Sequence, residues 1–218
     1  VSCTKIVDAT HLKTTVPSTH TPNFEVDGSA RFMPLNDLPN VTDTPEGFVI
    51  IGGGKTGVDA CLWLLDMGVD PDRVTWIVSR DAWLLNRKNT QPSEAFFFDT
   101  MGAQAGQFES IAMATSKDDM FDRLEACGYF LRLDPSVRPT MFHGATISEA
   151  ELAQLRRIKN VVRMSRVCKI TRDSIILDKG SFKTSPKHVH IDCSASAITN
   201  YVETPIFDGD LITPQMVR

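Results

Sequence analysis

The sequence predicts an α/β fold: a parallel sheet with flanking helices and a small antiparallel β-hairpin insertion. Three observations predict it. Phe48-Val49-Ile50-Ile51 is an unbroken apolar run rich in β-branched residues, the pattern of a strand covered on both faces. A helical pattern follows and leads to a second such run, Val74 to Val78, so strand, helix and strand fit within residues 48 to 80. Farther on, Val167 to Thr171 and Ser174 to Leu177 flank Arg172-Asp173, which reads as the hairpin turn.

Taken in order, residues 1 to 10 read as a short strand ending at Asp8-Ala9-Thr10. Pro17, Pro22, Pro34, Pro39 and Pro45 make residues 13 to 47 an extended connector, because proline removes backbone donors and disfavours helix before it. Thr56 to Met67 places Val58, Cys61, Leu62 and Leu65 at helical spacing, with Gly68 as its stop. Asp70-Pro71-Asp72 turns the chain into the Val74–Val78 strand. Residues 93 to 130 read as one or two helices, the clearer from Lys117 to Cys127 with Met120, Phe121 and Leu124 apolar. Ser148 and Glu151 form a capping box for a helix to Ile158, with Leu152, Leu155 and Ile158 as its apolar stripe. Val161 to Met164 reads as a strand, Asp178-Lys179-Gly180 as a turn, and His188 to Asp192 as the last strand of the sheet. There are no internal repeats.

Composition excludes several classes. The 218 residues are 42% hydrophobic and 23% charged, ordinary for a globular protein. A net charge of -4 argues against nucleic acid or an anionic membrane as the main partner. No apolar run approaches the ~20 residues that span a bilayer, and no basic-then-apolar signal opens the chain. Five cysteines, Cys3, Cys61, Cys127, Cys168 and Cys193, contain no C-x-x-C pair and read as reduced, mostly buried thiols of a cytoplasmic protein. The chain starts at Val1 and not at Met, its first residues already read as a strand at Lys5-Ile6-Val7-Asp8, and Leu211 to Arg218 show no helix stop and no polar tail. Both ends read as cut, so the expectation is a piece of a longer protein.

The chemistry is concentrated in Gly52-Gly53-Gly54-Lys55-Thr56-Gly57, which holds G-x-G-x-x-G at Gly52, Gly54 and Gly57. The motif follows a buried strand and opens a helix, the context that makes it informative for a Rossmann-like sheet. The first glycine permits a tight turn, the second lets a pyrophosphate approach the backbone, and the third lets helix and strand pack closely. The phosphates then meet free N–H groups at the positive end of the helix dipole. Gly54-Lys55-Thr56 also looks like the end of a P-loop, but that pattern needs a glycine where Val49 stands. At the end of the second strand, Ser79-Arg80 offers a hydroxyl and a guanidinium suited to a 2′-phosphate, favouring NADP(H) over NAD(H). Asp81 weighs against that preference. Arg87 and Lys88 follow on the same edge and add positive potential or stand as solvated charges. Asp59 reads as a first-turn acid that favours the helix dipole.

Other candidate chemistry is thin. His188 and His190 share a strand face without a third metal ligand. Cys193 reads as a small buried residue, and His143 as a loop residue beside Gly144. No catalytic residue is assigned, and no metal.

With these residues in place, the chain resembles the NADPH-binding region of flavin-containing monooxygenase-like FAD/NAD(P)-dependent oxidoreductases. Gly52 to Asp59 resembles the family's G-x-G-x-S-G-x-D, with Lys55 and Thr56 where Asn and Ser are common. Ser79, Arg80, Trp83 and Arg87 resemble its S-R-x-x-W-x-x-x-R segment. Val7-Asp8-Ala9-Thr10 resembles an ATG-like turn with His11 in place of glycine, followed by a proline-rich stretch at Pro17, Pro22 and Phe24. Val189 to Ala195 resembles the second such strand, with Cys193-Ser194-Ala195 in place of Ala-Thr-Gly. Residues 93 to 146 match poorly and read as a helical insertion.

The resemblance implies a division at 1–47, a strand and connector from an FAD domain lying elsewhere in the protein; 48–195, the NAD(P)-binding domain; and 196–218, a connector leading back. It implies FAD in the full-length protein, a small-molecule substrate, and hydride passing from NADPH to flavin, with the reduced flavin then reducing oxygen or another acceptor. Cofactor contacts fall on Gly52, Gly53, Gly54, Lys55, Thr56, Gly57, Ser79, Arg80 and Arg87. The alternatives are a dinucleotide-sensing module without turnover and a disulfide reductase, the latter disfavoured by the missing C-x-x-C.

Overall fold

The structure, a computed structural model, describes residues 4–10, 15–195 and 204–215. Cys3, His11 and residues 196–203 and 216–218 of the C-terminal connector lie outside the described residues. The fold is mixed α/β with several sheets.

At its centre is a five-stranded sheet in the order Phe32–Pro34, His188–Asp192, Gly47–Ile51, Val74–Ile77, Val161–Val162, every pair parallel. Ile50 stands opposite Ile191 on one side and Trp76 on the other. All five residues of Gly47–Ile51 are buried, as expected of a strand covered on both faces. Their side chains divide between two layers. Phe48 and Ile50 join the core beneath helices Lys55–Asp66 and Glu149–Leu155, while Val49 and Ile51 pack with Val167, Ile170, Ile175 and Leu177. The opposite face of the sheet is therefore covered by strands.

Those strands enlarge the expected hairpin. Val167–Ile170, Ser174–Leu177 and Gly180–Lys183 form an antiparallel meander, and Glu25–Val26 adds to it in parallel. Asp178-Lys179-Gly180 is the second turn of this meander, a strand the sequence pattern did not mark because Gly180–Lys183 is mostly exposed. The proline-rich connector likewise supplies two short strands, Glu25–Val26 and Phe32–Pro34, at sheet edges where missing N–H groups do least harm. Leu38, in a 3-10 turn between Leu35 and Asn40, is buried in the helical layer.

The expected helices form with small shifts. Lys55–Asp66 ends before Gly68, whose φ of +81° is the left-handed stop conformation. Glu149–Leu155 carries the complete Ser148/Glu151 capping box. The segment from 93 to 130 holds two helices, Phe97–Met113 and Lys117–Ala126. The sequence reading missed a three-stranded sheet built on Ala82–Asn86, which pairs antiparallel with Phe130–Leu131 and parallel with Met141–Ile147. His143 thus lies in a strand, exposed, and not in a loop. Trp83, expected near the cofactor segment, instead stacks on Phe121 and Phe130 in this unit's own small core. Helix Phe97–Met113 buries only Ala103 and Ser110 and leaves Phe98, Phe108 and Ile111 exposed.

A last small sheet joins distant parts of the chain. Ile6–Val7 pairs in parallel with Leu211–Ile212, which pairs with Phe207–Asp208 across the Gly209-Asp210 turn. Lys5 reaches the Gly209 carbonyl at 3.1 Å and the Asp210 carboxylate at 3.3 Å. Among the described residues, no helix is long and apolar enough to cross a membrane. The four described cysteines are free thiols; Cys61 and Cys193 are buried, but Cys127 and Cys168 are exposed, against the expectation of mostly buried thiols.

Candidate functional site

Because the central strands are all parallel, the residues that follow them emerge along one edge of the sheet. The glycine loop leaves after Ile51, Ser79-Arg80-Asp81 after the Val74–Ile77 strand, Arg163 after Val162, and Cys193-Ser194 after Asp192.

The four glycines of the loop, Gly52, Gly53, Gly54 and Gly57, stand in different environments. Gly52 has a φ of +129°, and a Cβ there would lie 2.8 Å from the Cys193 carbonyl oxygen. A Cβ on Gly57 would lie 2.0 Å from the Gly52 carbonyl oxygen, so helix and loop touch backbone to backbone. Gly53 is confined by Val78, 2.9 Å from such a Cβ. Gly54 differs: among the described residues nothing beyond its chain neighbours lies within 4 Å of such a Cβ, and the residue is exposed. Packing accounts for glycine at 52, 53 and 57. It does not account for glycine at 54.

Gly54 is also the N-cap of the twelve-residue helix Lys55–Asp66 and places no side-chain acceptor on its first turn. The free N–H groups and the dipole of that turn face the open space at Gly54. The first turn contains no acid. Asp59, expected there, comes one residue too late and forms an i,i+4 ion pair with Lys55. Two further contacts hold the loop: the Gly52 N–H donates to the Ile77 carbonyl at 3.1 Å, and the Trp76 indole Nε1 donates to the Gly52 carbonyl at 2.8 Å. Trp76 was visible in the sequence only as a strand residue; nothing in the pattern marked its indole as the anchor of the loop.

The charged candidates separate into two groups. Thr56, Ser79 and Arg80 make no side-chain hydrogen bond or ion pair to any described residue, and Arg80 is exposed. Lys55 and Arg87 are engaged by acids: Lys55 by Asp59, and Arg87 by Glu151 at 3.4 Å and by the Thr146 carbonyl. Lys88 pairs with Glu149 at 3.6 Å. The structure therefore draws Arg87 toward the capping box of the neighbouring helix and leaves Arg80 as the unengaged guanidinium.

Asp81, which counted against a phosphate, is not free. It is buried, and its carboxylate accepts from Arg163 at 2.8 Å and 3.2 Å. A narrow crevice lined by Gly53, Val58, Trp76, Val78 and Asp81 runs beside the glycine loop.

The remaining candidates are structural. His190 is fully buried, bonded to Thr184 at 2.8 Å and to the Arg31 carbonyl at 3.0 Å, and His188 approaches the same threonine at 3.3 Å. The Cys193 thiol is pushed up to about 12, chiefly by burial and then by the neighbouring carboxylates of Asp192 and Asp59, so it stays protonated and is no nucleophile. Among the described residues no group of three or more metal-binding side chains comes together.

Uncharacterized proteins of Mycobacterium bovis and Mycobacterium tuberculosis are 44% identical to this chain over 214 residues, 98% of the chain and 40% of each relative. The chain thus spans 40% of the length of the curated relatives it matches. No protein-family model matches.

Proposed function

We propose that this chain is the NADP(H)-binding part of an FAD-dependent oxidoreductase of the flavin-containing monooxygenase type, with a Rossmann-like central sheet. The observation that carries the reading is the glycine at position 54. Its neighbours in the motif are glycine because protein atoms leave no room for a side chain, whereas Gly54 faces empty space at an uncapped helix start. A glycine there is explained by a ligand pyrophosphate that must come close to the protein backbone.

In this reading the pyrophosphate lies against the N–H groups of the first helical turn, with the Thr56 hydroxyl beside it. Ser79 and Arg80 take the 2′-phosphate through charge-assisted hydrogen bonds. When bound, the reduced nicotinamide supplies a hydride. The protein's contribution is to hold and orient the nucleotide at the sheet edge. No described residue is assigned proton transfer.

The FAD part of the reading draws support from the small terminal sheet. The two connectors expected to lead to a flavin domain pair with one another through Ile6–Val7 and Leu211–Ile212. The Gly209-Asp210 turn contacts Lys5 and is assigned no flavin contact.

Isothermal titration with NADPH and NADH, on the chain and on Arg80→Ala, tests the proposal. The expected result is that Arg80→Ala weakens NADPH binding about tenfold and changes NADH binding far less. Equal losses for both nucleotides would remove phosphate recognition, and no binding of either would overturn the reading.

A further inference from the structure

We infer that Arg163 is a specificity-determining residue of the nucleotide site: it holds Asp81 in a two-pronged ion pair at the sheet edge, which leaves Arg80 alone to read the cofactor's 2′ group. This rests on the dinucleotide reading above and goes beyond it, because Arg163 lies outside the segments that carry the motif, 83 positions after Arg80.

The end of the second strand in a dinucleotide site selects between cofactors by charge. An acid there accepts from a ribose 2′-hydroxyl, and the same acid repels a 2′-phosphate. This chain places both signs side by side, Arg80 followed by Asp81. Sequence alone leaves the conflict open. The structure resolves it through a third residue. Ile77 and Val162 are register partners, and the Val78 N–H donates to the Val162 carbonyl at 3.0 Å, so the two strands leave the sheet together. Arg163 is the next residue. Its Nε reaches one Asp81 oxygen at 2.8 Å and its Nη2 the other at 3.2 Å.

Both partners are sheltered, with the Asp81 side chain 7% exposed and that of Arg163 28% exposed. A forked pair in that setting fixes the geometry of the carboxylate as well as its charge. Arg163 also lies 3.4 Å from Asp134, whose other oxygen is taken by the Ser136 N–H and hydroxyl. Asp81 is one wall of the crevice that also borders Gly53 and Val78. It therefore lines the same crevice as the glycine loop, and both of its oxygens are taken by Arg163.

The test is a titration of the full chain with NADPH and NADH, using the wild type, Arg163→Gln, Asp81→Asn and the double variant, each checked for folding by thermal melting. Freeing the acid in Arg163→Gln is expected to weaken NADPH about tenfold while NADH binding holds or tightens. Adding Asp81→Asn is expected to restore NADPH to within about threefold. Asp81→Asn alone is expected to keep the NADPH preference. Arg163→Lys keeps the charge without the fork and replaces the glutamine variant if that one fails to fold; it is expected to weaken NADPH about threefold. Equal loss of both nucleotides in Arg163→Gln without rescue in the double variant overturns the inference, as does a lowered NADPH preference in Asp81→Asn. A wild type that prefers NADH overturns the inference and leaves the dinucleotide reading standing, whereas a wild type that binds neither overturns both.

Discussion

The indole Nε1 of Trp76 donates to the carbonyl oxygen of Gly52 across 2.8 Å, tying the second strand of the sheet to the first residue of the glycine loop. The same carbonyl sits against Gly57. One backbone oxygen thus connects strand, loop and helix.

Replacing Trp76 by phenylalanine keeps most of the buried ring and removes the donor. The expected cost is about 1–2 kcal/mol, the value of a part-buried hydrogen bond whose acceptor is left unpaired. Urea unfolding measures it. Because the lost bond anchors the loop, NADPH affinity is expected to fall beyond what the stability loss explains.

Gly54→Ala and Gly57→Ala should behave oppositely. A methyl at 57 collides with backbone that cannot move aside, so a destabilisation of about 3 kcal/mol or more is expected, visible as a large drop in melting temperature. A methyl at 54 meets no atom of the described residues beyond its chain neighbours, and stability should change by no more than about 1 kcal/mol. NADPH affinity should nevertheless fall about tenfold or more in Gly54→Ala. Unchanged NADPH binding in that variant would remove the pyrophosphate from the helix start.

Arg87→Ala should leave NADPH affinity within about twofold, because its guanidinium already serves Glu151 and the Thr146 carbonyl. Its effect on stability should be below about 1 kcal/mol, since the pair is more than a third exposed on the arginine side. Ser148→Ala, which removes the cap that orders Glu151, is expected to cost about 1 kcal/mol in chemical unfolding.

Stability should fall on mild acidification. Burial holds the His190 imidazole below the ordinary histidine range; the bond to the Arg31 carbonyl opposes this and the charge of His188 adds to it. His188 is also lowered by burial, opposed by Glu46. The unfolded chain takes up protons near pH ~6.5 while the folded chain does not. Stability is therefore full above that pH and declines below it, down to the depressed folded values. Urea midpoints between about pH 7.5 and pH 5 should show this slope, and His190→Gln should flatten it.

How much of this was legible in the sequence differs by element. The Gly47–Ile51 strand and its helix were plain, because an apolar run, a glycine cluster and a helical stripe agree in one place. The Ser148 capping box was legible as a local chemical pattern and is complete in the structure. Ala82–Asn86 was not, since its strand character comes from partners near residues 131 and 146. The Phe32–Pro34 edge strand was hidden by its proline, which only an edge tolerates. In the site, Gly54 and Arg80 were readable from spacing. The pairing of Asp81 with Arg163 was not, because it joins residues 82 positions apart.

The parallel contact between Ile6–Val7 and Leu211–Ile212 sets segments some two hundred residues apart at one strand spacing, about 4.8 Å. Everything between them is, in topological terms, a closed excursion that departs and returns at a single doorway. Such a layout makes the region a natural cassette: grafting it into a host sheet would ask for two adjacent strands in the recipient and little else. Because the two strands run parallel, pulling on the chain before Ile6 and after Ile212 would load the small doorway sheet in shear, its bonds sharing the force together, rather than unzip it.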